Sequence, residues 1–150
     1  MTFKNEAQLK KFLTSKCIKA VANTERKVYE ELAGNLNQFY TEFHPKEYIR
    51  TGELFNSLES TGAMPTVNGA KAEIGFHTPS YVNGFVELQS GNYGYATWDG
   101  ETVLKVAMEG SLPHGGHEDG TAIWTESMEK LGHKSGIENL LMQELKNQGL

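Results

Sequence analysis

The sequence contains one cysteine, four prolines and no long hydrophobic run. The single cysteine, Cys17, excludes an internal disulfide and a metal site built from several cysteines. No apolar stretch approaches the roughly 20 residues that a membrane-spanning helix needs. We therefore expect no membrane segment. Because the first residues also lack an apolar signal sequence, we expect the protein to stay in the compartment where it is made.

The sequence also lacks an excess of positive charge. Its 14 Lys and Arg against 19 Asp and Glu give a formal net charge of −5. Nucleic-acid affinity comes largely from Lys and Arg that neutralise phosphates, so this balance disfavours a duplex-binding module. The basic residues near the N-terminus are mixed with glutamates, a pattern typical of a solvated helical face. We expect no sequence-specific nucleic-acid binding.

The composition is that of a folded domain, with 38% hydrophobic and 22% charged residues. A chain of 150 residues can bury one hydrophobic core without disulfides. We predict a single domain over residues 1–150 that needs no cofactor for stability.

The longest helical pattern runs from Asn5 to Phe43. Asn5 and Gln8 have the spacing of a capping box, and Pro45 cannot continue a helix. The apolar residues recur every three, four or seven positions, on one face of a helix: Leu9, Leu13, Cys17, Val21, Val28, Leu32, Leu36, Phe39 and Phe43. Cys17 therefore reads as a small apolar residue rather than a reactive thiol.

Between residues 60 and 77 the apolar period changes to two, which predicts strands. The dipeptide Asn68-Gly69 favours a type I′ hairpin turn. The expected partners across that turn are Val67 with Ala70 and Pro65 with Ala72. The register predicts one buried face, formed by Ala63, Pro65, Val67, Ala70, Ala72, Ile74 and Phe76. We expect the long helix to cover this face, because an isolated hairpin is only marginally stable.

Four shorter helices are predicted from apolar spacing, caps and glycine stops. Their spans are residues 51–58, 103–108, 121–131 and 135–148. Ser135 with Glu138 has the spacing of a capping box for the last one. The predicted fold class is therefore α+β, a long N-terminal helix packed on an antiparallel β-sheet with a C-terminal amphipathic helix. The expected core comprises Leu13, Val21, Val28, Leu32, Ile74, Phe76, Leu141 and Leu145.

The segment from Tyr81 to Trp98 has two interpretations. Residues 81–88 form either one strand or two short strands around an Asn83-Gly84 turn, and a glycine-rich aromatic loop follows. Either the aromatic rings of that loop fold back onto the sheet, or they bind a partner, since Tyr and Trp are enriched in interfaces. The candidate interface residues here are Tyr93, Tyr95 and Trp98.

His114 and His117 are followed by two acidic residues, and this polar cluster is the one in the sequence best suited to bind a metal. Imidazole and carboxylate groups suit zinc, but two glycines between the histidines argue against the helix that would bring them to one ion. We expect no metal site and treat both histidines as candidate interface residues. No nucleophile elbow and no phosphate-binding glycine loop occurs, so we expect no enzyme activity.

Three segments in order resemble a family of minor virion proteins of long-tailed bacteriophages, which complete the tail or join it to the head. After the long helix, Tyr48-Ile-Arg-Thr-Gly-Glu-Leu-Phe-Asn-Ser-Leu58 resembles the Arg/Asp-Thr-Gly-x-Leu-x-x-Ser segment of that family. Residues 103–116 and 120–127 are similar to segments of relatives from phages of Gram-positive bacteria.

The resemblance implies a structural protein without catalysis, found in the virion and assembled in the bacterial cytoplasm. Its expected partners are other phage neck and tail proteins and further copies of itself in a ring. The alternative is a small binding or regulatory module of phage or host, with a metal-dependent hydrolase as a third candidate.

Overall fold

The computed structural model describes residues 2–42, 55–77, 81–87, 93–99, 104, 108 and 123–150. The predicted fold class is confirmed: the protein is α+β, with a long N-terminal helix packed on small antiparallel sheets and on C-terminal helices. The contacts group into two compact units. The first comprises Met1–Glu31, Ser60–Ile74 and Met128–Leu150, and the second comprises Leu32–Glu59 and Gly75–Ser127.

Helix α1 spans Glu6–Glu42 without interruption. The side chain of Asn5 accepts a hydrogen bond from the backbone N–H of Gln8 at 2.9 Å, which confirms the predicted cap. The Gln8 side chain reaches back to the N–H of Lys4, at 3.0 Å, one residue beyond the position that a standard capping box uses. The end at Glu42 agrees with the stop expected before Pro45.

Four short strands follow a 3-10 turn at Phe55–Ser57. They are β1 (Leu58–Ser60), β2 (Met64–Thr66), β3 (Gly69–Lys71) and β4 (Ile74–Phe76). Strand β1 pairs with β4, and β2 pairs with β3. The predicted helix over residues 51–58 is wrong at its end, because Leu58 opens a strand; residues 51–54 lie outside the described part.

The register predicted for the hairpin is wrong. Pro65 pairs with Ala70 and Thr66 with Gly69, so the turn residues are Val67 and Asn68. Neither Asn68 nor Gly69 has a positive φ, as a type I′ turn would require. Proline explains the difference: the predicted register puts Pro65 in a hydrogen-bonded pair, where its missing N–H would leave a ladder bond unmade. The observed register moves it to a pair that exchanges none.

Burial alternates as predicted only after the hairpin turn, in residues 70–77. Ala70, Ile74 and Phe76 are half-buried, whereas Pro65 is exposed and Val67 is 80% exposed. Pro65 and Val67 are therefore wrong as members of a buried face. Val67 is exposed because it lies in the turn, beyond the paired residues.

Strands β5 (Tyr81–Glu87) and β6 (Tyr93–Asp99) form an antiparallel pair of seven residues each. Asn83 and Gly84 lie inside β5, opposite Thr97 and Ala96, so the single-strand interpretation is right and the Asn83-Gly84 turn is wrong.

The predicted C-terminal helices are confirmed as α2 (Ile123–Lys130) and α3 (His133–Asn147). Leu104 and Met108 are also helical, as predicted for their segment. Gly132 separates α2 from α3 with a φ of 75°, a left-handed conformation that glycine adopts without strain. The Ser135 capping box is wrong: α3 begins two residues earlier, and the Ser135 hydroxyl donates to the Gly132 carbonyl oxygen at 3.1 Å.

The buried apolar residues of the described part lie mainly on α1: Ala20, Val28, Leu32, Leu36, Leu58 and Ile123. Val28 and Leu32 confirm the predicted core. Leu13 is wrong as a core residue, since it is 39% exposed. The remaining predicted core residues, Val21, Leu141 and Leu145, are half-buried, as are Ile74 and Phe76. None of the described helices is long and apolar enough to cross a membrane.

Candidate functional site

The predicted aromatic interface residues lie on a strand rather than a loop. Tyr93 pairs with Glu87, Tyr95 with Phe85 and Trp98 with Val82 in the β5–β6 ladder. The loop interpretation of this segment is therefore wrong for residues 93–99. Tyr, Trp and Thr favour extended backbone, and this preference outweighs the two glycines nearby.

The predicted histidines, His114 and His117, lie outside the described residues, as does the acidic pair that follows them. Among the residues that the structure does describe, no group of three or more His, Cys, Asp or Glu side chains is placed to hold a metal ion. His133 is exposed and has a φ of 56°, which is uncommon for a residue with a side chain. The absence of a metal site remains a prediction.

The most buried charge in the described part is Glu144, at 5% exposure on α3. Its carboxylate accepts a hydrogen bond from the Lys27 ammonium at 2.8 Å and from the Asn23 side-chain amide at 2.9 Å. Both donors lie on α1, one turn apart, so they converge on the same carboxylate. The arrangement ties α3 to α1 within the first compact unit.

These donors determine the charge state of Glu144. The hydrogen bond from Lys27, and then that from Asn23, hold the pKa of the Glu144 carboxyl below its ordinary value of 4.5, although burial acts in the opposite direction. The carboxylate is therefore ionised at neutral pH. A buried ion with its partners in place is tolerated, and removal of one partner is costly.

An open groove of about 520 Å³ lies beside this cluster. Its lining mixes charged, amide and apolar side chains: Lys27, Glu30, Glu31, Lys130, Leu131, Gly136, Asn139, Leu140 and Gln143. The Lys130 ammonium lies 3.5 Å from the Glu31 carboxylate. The described lining side chains offer polar contacts to another macromolecule and include no constellation of nucleophile and base.

A second buried polar contact lies in the other compact unit. The Asn35 side-chain amide donates to the Ser127 hydroxyl at 2.7 Å, and that hydroxyl donates to the Ile123 carbonyl oxygen at 2.6 Å. Asn35 is 1% exposed and Ser127 is fully buried. The contact joins α1 to α2 and satisfies polar groups that would otherwise be costly to bury.

Glu144 was not singled out from the sequence. The signal was present, since a carboxylate four residues after Leu140, on a stripe with Leu141 and Leu145, requires a buried partner. The partner could not be named, because Asn23 and Lys27 are more than 100 positions away. The chain matches no protein-family model, no curated protein and no solved structure.

Proposed function

We propose that this chain is a structural virion protein of a long-tailed bacteriophage, which completes the tail or joins it to the head and assembles as a ring of identical copies. The observation that carries the proposal is the order of segments along the chain. A long helix precedes the Thr-Gly-x-Leu-x-x-Ser segment of residues 51–57, and the two further similar segments cover residues 103–116 and 120–127.

The fold supports this proposal at a coarse level. The resemblance implies an α+β fold, and the chain has one. The seven-residue strands β5 and β6 form a two-stranded sheet, and strand edges of this length can pair with a neighbouring subunit. The other partners of the protein in the virion are neck and tail proteins.

The charge of the chain also suits a ring through which DNA passes. At a net charge of −5, a ring of several copies carries a substantial negative charge and repels the phosphate backbone. Weak adhesion favours passage of DNA, whereas a basic channel would retain it.

Deletion of the gene from a phage genome that carries it tests the proposal. We expect electron micrographs of the lysates to show filled heads without tails, or aberrant tails. A plasmid copy of the wild-type gene should restore infectious particles, and Lys134→Gln, a change at an exposed side chain on α3, should restore them equally. Normal infectious particles after deletion would reject the proposal and favour the binding or regulatory module.

The proposal assigns no catalytic or metal role to His114 and His117. We expect elemental analysis of the purified protein to find no stoichiometric zinc, because a glycine-rich segment must be ordered before it can bind a metal. One zinc per chain, lost in a His114→Ala and His117→Ala double variant, would contradict this prediction and support the hydrolase alternative.

A further inference from the structure

The buried stripe of α1 continues toward the N-terminus beyond the residues that cover it. Ala20 and Val28 are buried, at 0% and 8% exposure. Leu13 and Leu9 lie about two and three turns from Ala20 toward the N-terminus, on the same side of the helix, and are 39% and 38% exposed. The first quarter of the chain therefore presents apolar side chains that the described residues leave partly open.

This apolar stripe lies in a basic segment, defined here as residues 2–24. The segment holds five lysines and one glutamate and has a formal charge of +4. Because the whole chain has a net charge of −5, the remaining residues together carry −9. Lys10, Lys11 and Lys19 are exposed. Their side chains form no ion pair with any described carboxylate, whereas Arg26 and Lys27, just beyond the segment, pair with Glu30 and Glu144.

We propose that the basic segment docks onto an acidic surface of a second copy of this chain. Charge complementarity favours this occupant: +4 on the segment faces −9 on the rest of the same molecule, so every copy offers both halves of the contact. Leu9 and Leu13 supply the apolar centre, and Lys10 and Lys16, three residues before and after Leu13 on the helix, form its rim.

The contact joins two different surfaces, as the repeated contacts of a ring do. It deepens the proposed function by naming one subunit contact, and it rests on that function for the ring. The lysines lie around the helix, with Lys11 and Lys19 away from the side of Leu13. An anionic membrane would favour a wider apolar face with lysines on the opposite side only.

Cross-linking between unlabelled and isotope-labelled copies of the protein tests the contact directly. Equal amounts of unlabelled and ¹⁵N-labelled full-length protein are treated with a carbodiimide that joins lysine amines to carboxylates. We expect mass spectrometry to find peptides of mixed isotope content that link Lys10, Lys11 or Lys16 to a carboxylate outside residues 2–24. Links within single chains only, at protein concentrations up to the solubility limit, would overturn the proposal.

Sedimentation equilibrium measures the strength of the same contact. We expect wild-type self-association to weaken with salt, and Lys10→Glu to weaken it roughly tenfold through the loss of one favourable charge contact and the gain of an unfavourable one. Lys134→Glu makes the same charge change on α3 and should leave association within about twofold of wild type. Equal effects of the two variants would overturn the proposal.

Two further outcomes complete the test. Leu13→Gln should also weaken self-association while leaving the circular dichroism spectrum unchanged, because Leu13 is 39% exposed in the single chain. Binding to phosphatidylglycerol vesicles without self-association would overturn the proposal in favour of a membrane surface. Failure of the contact leaves the gene-deletion phenotype intact, so the two proposals fail separately.

Discussion

Glu144 is the residue whose protonation most directly affects the contact between α1 and α3. Its folded-state pKa lies below the ordinary value because Lys27 and Asn23 donate to the ionised form. For a carboxyl group with a lowered pKa, the stabilisation is fully present above the unfolded pKa, near 4.5, and is lost as the pH falls through the folded pKa.

We expect Glu144→Gln to unfold at lower urea concentration than wild type at pH 7. The difference should shrink as the pH falls below about 4.5, since the wild-type carboxyl then becomes neutral as well. Glu138→Gln is the matched control: its side chain is 63% exposed and lies 3.8 Å from Lys134, so its effect should be small. A pH-independent difference for Glu144→Gln would contradict this prediction.

Leu32 is the largest fully buried apolar side chain on α1. We expect Leu32→Ala to lower the free energy of unfolding by about 2 to 5 kcal/mol, because the surrounding side chains fill the resulting cavity only in part. Leu9→Ala removes the same atoms on the same helix at a site that is 38% exposed, and should cost less than half as much. Denaturant melts of both variants measure the difference, and equal losses would place Leu32 outside the core.

At the scale of elements, the turn between α2 and α3 depends on a glycine. A Cβ atom on Gly136 would collide with the carbonyl oxygen of Leu131, and backbone cannot move aside as a side chain can. A Cβ atom on Gly132, in the turn itself, would lie 3.3 Å from the Cα atom of Gly136. The first turn of α3 is therefore close-packed against the end of α2.

We expect Gly136→Ala to lower the free energy of unfolding by about 1 to 3 kcal/mol through this overpacking. Gly34 is the control, because it is exposed in the middle of α1 and a Cβ there meets nothing within 4 Å. Gly34→Ala should raise the free energy of unfolding by about 0.5 to 1 kcal/mol, since alanine has the higher helix propensity. Urea melts of the pair would contradict the prediction if both variants changed stability in the same direction.

The β2–β3 hairpin shows how a local preference is overruled within one element. Asn68-Gly69 favoured a turn at that dipeptide, yet the observed loop lies one residue earlier. Beyond the hairpin, the backbone N–H of Thr61 donates to the Glu73 carbonyl oxygen at 3.0 Å. The register of the two chain segments there is shifted by one residue relative to the pair of Pro65 with Ala70. A change of offset within a hairpin is a bulge-like feature that period-two patterns do not reveal.

At the scale of the whole molecule, α1 takes part in both compact units, since Met1–Glu31 belongs to one and Leu32–Glu59 to the other. Loss of either unit would leave part of a continuous helix without its packing, and an isolated helical segment is marginal in water. The single domain over residues 1–150 was predicted from chain length and composition, and the continuity of α1 adds a physical reason to expect it.

We expect urea unfolding to show one cooperative transition. Circular dichroism at 222 nm reports mainly on the helices, and tryptophan fluorescence reports on Trp98 and Trp124, which belong to the second unit. The two signals should give the same midpoint. Separate midpoints would show that the units unfold independently, contrary to the single-domain prediction.

The sequence by itself determined the long helix, its cap at Asn5, the glycine between α2 and α3, and the α+β class. These features depend on contacts within a few residues, where periodicity, caps and glycine act directly. The exposed Leu13 and the strand containing Tyr93 were misjudged by the same local patterns, because burial and strand pairing are settled by distant segments.

The tertiary structure alone decided which charges are paired and which part of the apolar stripe is covered. Glu144 meets Lys27 across more than 100 residues, a distance at which sequence spacing carries no information. The stripe of α1 is continuous in sequence from Leu9 to Leu36, yet its burial begins near Ala20. Hydrophobic periodicity identifies the face that can be buried, and only the packing of other elements determines how much of that face leaves water.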